Sequence, residues 1–599
     1  MKHCLKILVI ISLITSTSCR IERSEWIRIN QLGYRPDDIK VAIFLSKKVF
    51  KLTSFKLVEI SSGNVMMTFN NVEKTESLEP FLSCYRLPFT DLKKSGIYRI
   101  IAENAISPDF RIADDVYDGT ADFLLNYMRQ QRCGYNPYVK DFCHMEDGYR
   151  IYGKSDDSAH IDVTGGWHDA ADYLQYVATS ANATYQMLFA YSENPAVFGD
   201  KYLSNGLAGA DGLPDVLNEC KWGLDWLIKM NPGTGIMYNQ IADDRDHIGF
   251  RFPNNDTAKY GKGHERPVYF CTGEPQGLFK YKNRTTGIAS TAGKFASAFA
   301  KGAEVYKKSD PEFSKLLLVK ALAAFNWGLK KPGVCQTAPG TAPYFYEEDN
   351  WVDDMELAAI ELYNQTQDPK YLNYAIEFGR KELVTPWMGS DTARHYQWYP
   401  FVNMGHPAIA REQKTRNEAE FAGYMKKGLD LTELKAKNNP FHIGIPFIWC
   451  SNNLIAAIVT QAHLYSEISG NNSFAELEAA HRDWLFGCNP WGTSMIVGLP
   501  ENGDYPINSH SSYVVKGGQV NGGLVDGPVY STIFNSHNKY ISLSKEDEYA
   551  QFQTKLAVYH DDFADYSTNE CTMDGTASLV YYLSALQSES QKTYKTQKN

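Results

Sequence analysis

Two short segments combine carboxylates with residues that could hold a substrate or a water molecule. The first, residues 165–173 (GGWHDAADY), carries two acids three residues apart, Asp169 and Asp172. Two glycines permit a tight turn before them. We predict that a helix starts near residue 174. At a helix start, two acids three residues apart lie on the same face of the helix, and the helix dipole favours their ionised form. The pair could position and deprotonate a water molecule, but helix capping would also explain it.

The second segment, residues 559–570 (YHDDFADYSTNE), ends in Glu570 just before a predicted helix at 572–586. Glu570 lies among apolar and aromatic residues. Partial burial there would raise its pKa and suit it to act as a general acid. The alternative is a solvated acidic loop whose Glu caps the helix.

The elements that must position these segments fall into two classes. Residues 24–112 contain short β-prone runs separated by turn residues, which is typical of a β-sandwich. From about residue 117 the apolar period becomes helical. Helices are predicted near 174–190, 216–228, 292–306, 315–329, 353–364, 370–383, 452–468, 474–486 and 572–586. Long loops at 231–290 and 487–560 separate some of them, and loops of this length are usually functional.

Together the two segments resemble signatures of glycoside hydrolase family 9, the inverting cellulases. GGWHDAAD is similar to that family's GGWxDAGD motif, with Ala171 in place of Gly. In the second segment the signature positions are filled by Tyr559, Asp561, Tyr566 and Glu570. Residues 26–36 (WIRINQLGYRP) resemble the start of the immunoglobulin-like domain that precedes many of these enzymes. The resemblance implies a mostly α fold, in which an (α/α)6 barrel at 114–590 follows a small all-β sandwich at 20–113.

By this resemblance Asp172 is the general base, Asp169 helps to hold the attacking water, and Glu570 is the general acid. The leading interpretation is an endo-acting β-1,4-glucanase. An exo-acting cellobiosidase or β-glucosidase-like enzyme, a xyloglucan or mixed-linkage glucanase, and a non-catalytic glycan-binding protein are the alternatives. The exo alternative stays open because Ser512 stands where the family usually has Arg, after His510. We expect the substrate to contact Trp167, His168, His510, Tyr566 and His247.

Two metal sites are implied, neither of them catalytic. Some members of the family hold a structural zinc ion near the first motif, and the matching ligands here are Cys133, Cys143, His144 and His168. A disulfide between Cys133 and Cys143 is an alternative. Near residue 350 an acidic helix start resembles the family's calcium site, with Asp349, Asp353 and Asp354 as the implied ligands. Helix capping without a metal would also explain these acids.

The remaining expectations concern the location and partners of the protein. Residues 1–19 resemble a lipoprotein signal, so Cys19 would be lipidated and the protein exported to a bacterial outer membrane; simple secretion is the alternative. The net charge of −10 argues against nucleic acid as a partner. From the family resemblance we expect the partner to be a β-glucan polysaccharide or oligosaccharide, and we expect the protein to be a monomer.

Overall fold

The structure is a computed structural model that describes residues 23–153, 159–392, 394, 396–412, 418–514, 520–537 and 540–598. The predicted signal peptide and Cys19 lie outside these residues. Strands dominate the first part and helices the rest, as predicted. Among the described residues, no helix has both the length and the apolar character needed to cross a membrane.

The first part is a sandwich of two antiparallel sheets. Its strands are β1 (Glu25–Arg28), β2 (Val41–Ser46), β3 (Phe55–Glu59), β4 (Val65–Phe69), β5 (Glu73–Lys74), β6 (Ser83–Pro88), β7 (Gly96–Ala102), β8 (Ala105–Ile106) and β9 (Phe110–Ile112). The strand orders are β1-β2-β6-β5 and β4-β3-β7-β8, and β9 pairs with β7. Strand β7 alternates as expected for a sheet with one buried face, because Tyr98, Ile100 and Ala102 are buried while Ile97 is exposed. These residues share one apolar core with the facing strands.

The second part is a double ring of helices. The helices are α1 (Thr120–Gln130), α2 (Val177–Glu193), α3 (Asp215–Met230), α4 (Ala289–Tyr306), α5 (Pro311–Lys330), α6 (Val352–Thr366), α7 (Pro369–Gly379), α8 (Gly405–Glu412), α9 (Glu418–Ala436), α10 (Ser451–Ser469), α11 (Ala475–Leu485), α12 (Ser531–His537) and α13 (Met573–Lys598). The inner ring follows the order α2, α4, α6, α8, α10, α13 and closes where α13 packs on α2. The outer helices α1, α3, α5, α7, α9 and α11 pack outside them. This is the predicted (α/α)6 barrel.

Small side chains let the inner helices approach one another closely. Helix α4 is buried along most of its length, and its apolar face, predicted from Ala292, Phe295, Phe299, Ala303 and Tyr306, lies wholly in the core. The helix packs against α2, α5 and α6. Close packing of this kind fixes the positions of the inner helices. The two predicted catalytic segments directly precede two of these helices, α2 and α13.

The sequence prediction missed helices α1, α8, α9 and α12 and a set of short strands. These strands are β10 (Gly134–Asn136), β11 (Asp141–Cys143), β12 (Tyr149–Ile151), β13 (Gln175–Tyr176), β14 (Tyr238–Ile241), β15 (Pro267–Phe270), β16 (Leu524–Val525), β17 (Val529–Tyr530), β18 (Ala557–Val558) and β19 (Cys571–Thr572). Strands β12 to β15 form one sheet in the order β12-β15-β14-β13. Parts of the predicted loop at 231–290 are therefore tied to the segment that leads into α2.

Buried polar contacts join the sandwich to the barrel. The side-chain amide of Asn30 donates to Asp483 at 2.8 Å, and the backbone amide of Gln31 donates to the carbonyl of Phe486 at 2.9 Å. Arg482 lies 3.4 Å from Asp38. Breaking a buried charged contact is costly, so the sandwich is braced against the barrel near the end of α11.

Candidate active site

The first acidic segment is an irregular turn and not a helix start. Gly165 and Gly166 have φ angles of 109° and 72°, and a methyl group on Gly166 would lie 2.7 Å from the Trp226 ring. Asp169 and Asp172 follow in non-helical backbone, and α2 begins only at Val177. The prediction that both acids lie on the first turn of a helix is therefore wrong. Their positions come from the turn, in which the amide of Asp169 donates to the carbonyl of Leu174.

Asp169 is buried and held by two hydroxyl groups. Thr179 donates to Oδ1 at 2.6 Å and Tyr346 donates to Oδ2 at 3.0 Å. Burial, followed by the negative charges of Asp172 and Asp574, raises the pKa of Asp169 well above its usual range. Its carboxyl group is therefore fixed in position beside Asp172.

Asp172 is more accessible and faces an imidazole. Its Oδ1 accepts the amide of Leu174 at 3.1 Å, and its Oδ2 lies 3.6 Å from Nε2 of His247. Burial opposes protonation of His247, but the Asp172 carboxylate outweighs it and raises the pKa of His247 to about 9. At neutral pH His247 is therefore an imidazolium that lies beside the Asp172 carboxyl group.

Glu570 reaches the same place from the other end of the chain. It directly precedes β19 and α13, and its Oε1 accepts the amide of Ala171 at 2.9 Å. Burial and then the charge of Asp172 raise the pKa of Glu570 to about 8, against the opposing effects of the Ala171 amide and His247. A carboxyl group that stays protonated at neutral pH can act as a general acid.

The other acids of the second segment fix the loop that presents Glu570. Asp565 accepts hydrogen bonds from the hydroxyl groups of Ser567 at 2.6 Å and Thr568 at 2.7 Å. Asp561 accepts from the side-chain amide of Asn569, the residue before Glu570, at 3.1 Å. These buried acids therefore have a structural role, and of this segment's acids Glu570 alone contacts the turn that carries Asp172.

Aromatic side chains surround the carboxyl groups. The His510 ring lies 4.7 Å from Phe250 and 5.9 Å from Tyr566, measured between ring centroids, and Tyr566 in turn lies 5.9 Å from Trp449. His247 packs edge-on against Tyr344 at 5.2 Å. The predicted contacts His510 and Tyr566 therefore lie in one aromatic wall, and His247 lies with Tyr344 beside Asp172. Such aromatic faces suit the stacking of sugar rings.

Two predicted substrate contacts lie elsewhere. Trp167 is fully buried, and its ring packs on α3 so closely that a methyl group on Gly223 would lie 2.3 Å from it. His168 is also buried and belongs to a cluster of cysteine and histidine side chains. Neither side chain reaches the aromatic wall, because the turn at Gly165 and Gly166 directs both residues into the protein. Both expectations are corrected.

Several residues of the site were not found by sequence reasoning. Tyr346 holds Asp169 across 177 residues of sequence, and no local pattern marks it. Trp449 lies just before α10, and the carbonyl of Asp526 accepts a hydrogen bond from the amide of Asn452 in the first turn of that helix. Burial, followed by the charge of Glu570, raises the pKa of Asp526 well above its usual range. The residue that replaces the usual Arg, Ser512, donates its hydroxyl to the carbonyl of Ser509 at 2.6 Å and so caps its own turn.

The four residues predicted as zinc ligands come together. The ligand atoms of Cys133, Cys143, His144 and His168 all lie within 4.8 Å of one another. Nε2 of His144 lies 3.0 Å from Asp256, which leaves Nδ1 facing Sγ of Cys133 at 3.6 Å and Nε2 of His168 at 3.4 Å. Both cysteines are free, so the alternative disulfide is absent. Two sulfur and two nitrogen donors, one of them oriented by a carboxylate, fit a tetrahedral metal ion.

The three predicted calcium ligands do not come together. Asp349 is half exposed and lies 3.8 Å from the guanidinium of Arg284, whereas Asp353 and Asp354 are buried. Asp354 accepts a hydrogen bond from the ammonium group of Lys294 at 2.7 Å. The acidic helix start therefore already contains a positive charge.

Comparisons with known proteins agree with this architecture. The family model described as "Glycosyl hydrolase family 9" matches residues 117–583, and "Cellulase N-terminal ig-like domain" matches residues 22–107. A cellodextrinase of Butyrivibrio fibrisolvens is 25% identical over 93% of this chain and 99% of its own length. Endoglucanase D of Acetivibrio thermocellus is 23% identical over 81% of this chain and 74% of its own length. The crystal structure of a metagenome-derived glycoside hydrolase family 9 endoglucanase superposes with a TM-score of 0.75 at 24% identity, covering 94% and 99% of the two chains.

Proposed function

Because the chain belongs to glycosyl hydrolase family 9 and is a glycoside hydrolase, we propose that Asp172 and Glu570 cleave internal β-1,4-glucosidic bonds of cellulose-like glucans with inversion. The observation that carries this assignment is the contact of Glu570 with the turn of Asp172, together with the pKa of Glu570 near 8. One carboxyl group is thereby kept protonated next to another that is paired with His247.

The chemistry follows from these two protonation states. Asp172, supported by Asp169, removes a proton from a water molecule that attacks the anomeric carbon, while Glu570 protonates the oxygen of the leaving sugar. Inversion needs the two carboxyl groups about 6.5–9.5 Å apart, so that the water fits between Asp172 and the sugar. The Tyr346 and Thr179 hydroxyl groups fix Asp169 in place to support the water.

Exo-action on short glucans is the second candidate. The relative from Butyrivibrio fibrisolvens is a cellodextrinase, and Ser512 cannot replace the rigid donor fork of an arginine. Its hydroxyl is also engaged in its own turn. Without the arginine, the enzyme would make weaker contacts with a long glucan chain, and this would favour short substrates.

The experiment that separates the candidates is product analysis at low conversion. Cellohexaose, carboxymethyl cellulose, xyloglucan and mixed-linkage glucan are incubated with the enzyme, and the products are separated by chromatography. A spread of oligosaccharides and a rapid fall in the viscosity of carboxymethyl cellulose support endo-action. A single short product with little change in viscosity would contradict it, and no cleavage of any of these glucans would contradict the proposed function.

Activity should fall at alkaline pH. Glu570 must carry its proton to act, so kcat/KM should be lost as the pH rises through about 8. The measurement is a profile of kcat/KM on cellotetraose from neutral pH upward, with folding monitored by circular dichroism. A profile that stays flat to about two pH units above that value would refute the assigned pKa.

We also propose that the Cys133, Cys143, His144 and His168 cluster holds a structural zinc ion. The Cys143→Ser variant should contain much less than one zinc per chain by elemental analysis and unfold at a lower temperature, because one thiolate ligand is lost. Cys84→Ser is the matched control, because Cys84 is equally buried but lies in strand β6 of the sandwich. An unchanged zinc content in Cys143→Ser would rule out the site.

Finally, we propose export and lipid anchoring through Cys19, supported by the resemblance of residues 1–19 to a lipoprotein signal. The full chain expressed in a Gram-negative host should partition into the detergent phase of Triton X-114, whereas a Cys19→Ala variant should not. Equal partitioning of both proteins would contradict the anchor.

A further inference from the structure

A group of buried acids surrounds the start of helix α6. Five carboxylate side chains lie there with at most 6% of their surface exposed: Glu348, Asp353, Asp354, Glu356 and Glu382. Burying that many negative charges is unfavourable unless cations or hydrogen-bond donors compensate them. The resemblance noted from the sequence assigns this compensation to a calcium ion.

The structure contains a different cation. Lys294, on the neighbouring helix α4, is buried, and its ammonium nitrogen lies 2.7 Å from Asp354 Oδ2 and 3.0 Å from Glu348 Oε1. Gly293 makes this possible, since a methyl group there would lie 2.7 Å from the carbonyl carbon of Asp354. Helix α4 can therefore approach α6 closely enough for the Lys294 side chain to reach between the acids.

Two of the other acids have their own partners. Glu356 lies 2.6 Å from Nδ1 of His406 and accepts from the amide of Asn403 at 3.0 Å. Glu382 accepts from Asn403 at 3.0 Å and from the amide of Asn350. Oδ1 of Asp353 and both carboxylate oxygens of Glu348 are buried without a hydrogen-bond partner, and the ammonium group of Lys294 is the cation that lies next to Glu348.

With Lys294 between them, the acid oxygens do not form a compact set of metal ligands. Over the described part of the chain, only the cysteine and histidine cluster has three or more ligand atoms within 4.8 Å of one another. A calcium ion placed among Glu348, Asp353 and Asp354 would lie beside the ammonium group of Lys294. Like charges at such a distance in a buried site repel strongly, so one cation excludes the other.

We propose that Lys294 is a built-in cation that replaces calcium at the start of α6, so that the protein needs no divalent ion there. The same geometry predicts what its removal does. Without the ammonium group, the carboxylates of Glu348, Asp353 and Asp354 face a vacated polar space and offer the oxygen ligands that Ca²⁺ prefers. A small neutral residue at position 294 therefore converts a metal-independent site into a calcium-dependent one.

The test compares the full-length protein, with its zinc retained, in calcium-depleted buffer and in buffer with millimolar CaCl2. The wild type should show a Tm shift of less than about 1 °C and no saturable heat of calcium binding in calorimetry. Lys294→Ala should unfold on the order of 5 °C lower without calcium, and added CaCl2 should restore more than half of that loss. Terbium luminescence provides a second readout that does not depend on activity.

Two further variants separate calcium binding from general destabilisation. Lys294→Met, which fills the same space without a charge, should lose stability and show little recovery with calcium. Adding Asp354→Asn to Lys294→Ala should abolish the recovery. Saturable binding with a rise in Tm in the wild type would overturn the proposal, as would a folded Lys294→Ala variant that calcium does not stabilise. If Lys294→Ala does not fold, the wild-type calorimetry alone decides.

Discussion

Replacing Glu570 by Gln should lower kcat on cellohexaose by about 10³-fold, equivalent to roughly 4 kcal/mol of transition-state stabilisation. The amide can still accept the Ala171 N–H bond that Glu570 accepts at 2.9 Å, so the loop should keep its shape. What it loses is the acidic proton that burial and Asp172 maintain on Glu570 at neutral pH. KM should change little, because the substrate still meets the same aromatic wall.

The leaving group provides the internal control for this variant. In 2,4-dinitrophenyl β-cellobioside the leaving group is 2,4-dinitrophenolate, which departs without protonation, so Glu570→Gln should cleave this substrate nearly as fast as the wild type does. Glu546→Gln, an exposed acid of the same kind in the preceding loop, should behave like the wild type on both substrates. An equal loss on natural and activated substrates would mean that Glu570 is not the general acid.

Replacing Asp172 by Asn should also lower kcat by about 10³-fold or more, but for a different reason. The amide cannot accept a proton from the attacking water, and this step is needed whatever the leaving group is. The activated cellobioside should therefore not rescue Asp172→Asn. Asp91→Asn, which changes an exposed acid of the sandwich, is the control for the substitution itself.

The Asp172 variant should also change the pH profile of its residual activity. The Asp172 charge is one cause of the raised pKa of Glu570, so removing that charge should move the alkaline fall in activity to lower pH. The profile is measured as kcat/KM with the same substrate for both proteins. A fall at the same pH as in the wild type would show that the two carboxyl groups do not sense each other.

The sequence was sufficient for the fold class, and its two local motifs contain the carboxyl groups of Asp172 and Glu570 that the structure brings near each other. The apolar face of α4, read from Ala292 to Tyr306, is buried as predicted, because helical periodicity directly reflects burial. The four cysteine and histidine residues were likewise predicted together, and they converge. In each of these cases a pattern within a few tens of residues contains the structural information.

Contacts between distant segments were not predictable. The burial of Trp167 depends on Gly223, the support of Asp169 depends on Tyr346, and the occupied acidic site depends on Lys294, which lies 60 residues before Asp354. Each of these depends on how the inner helices pack, and one sequence does not reveal that packing. The sequence likewise placed Asp169 and Asp172 on a helix, because it could not show that the glycine turn continues past them.

The stereochemistry of hydrolysis tests the central claim most directly. Proton NMR during the first minutes of cellotetraose cleavage, before mutarotation mixes the anomers, distinguishes the two forms of the new reducing end. Water activated by Asp172 attacks opposite the bond that Glu570 protonates, so the account predicts that the α-anomer appears first. If the β-anomer appears first, the reaction proceeds with retention, and the assignment of Asp172 as base and Glu570 as acid is wrong.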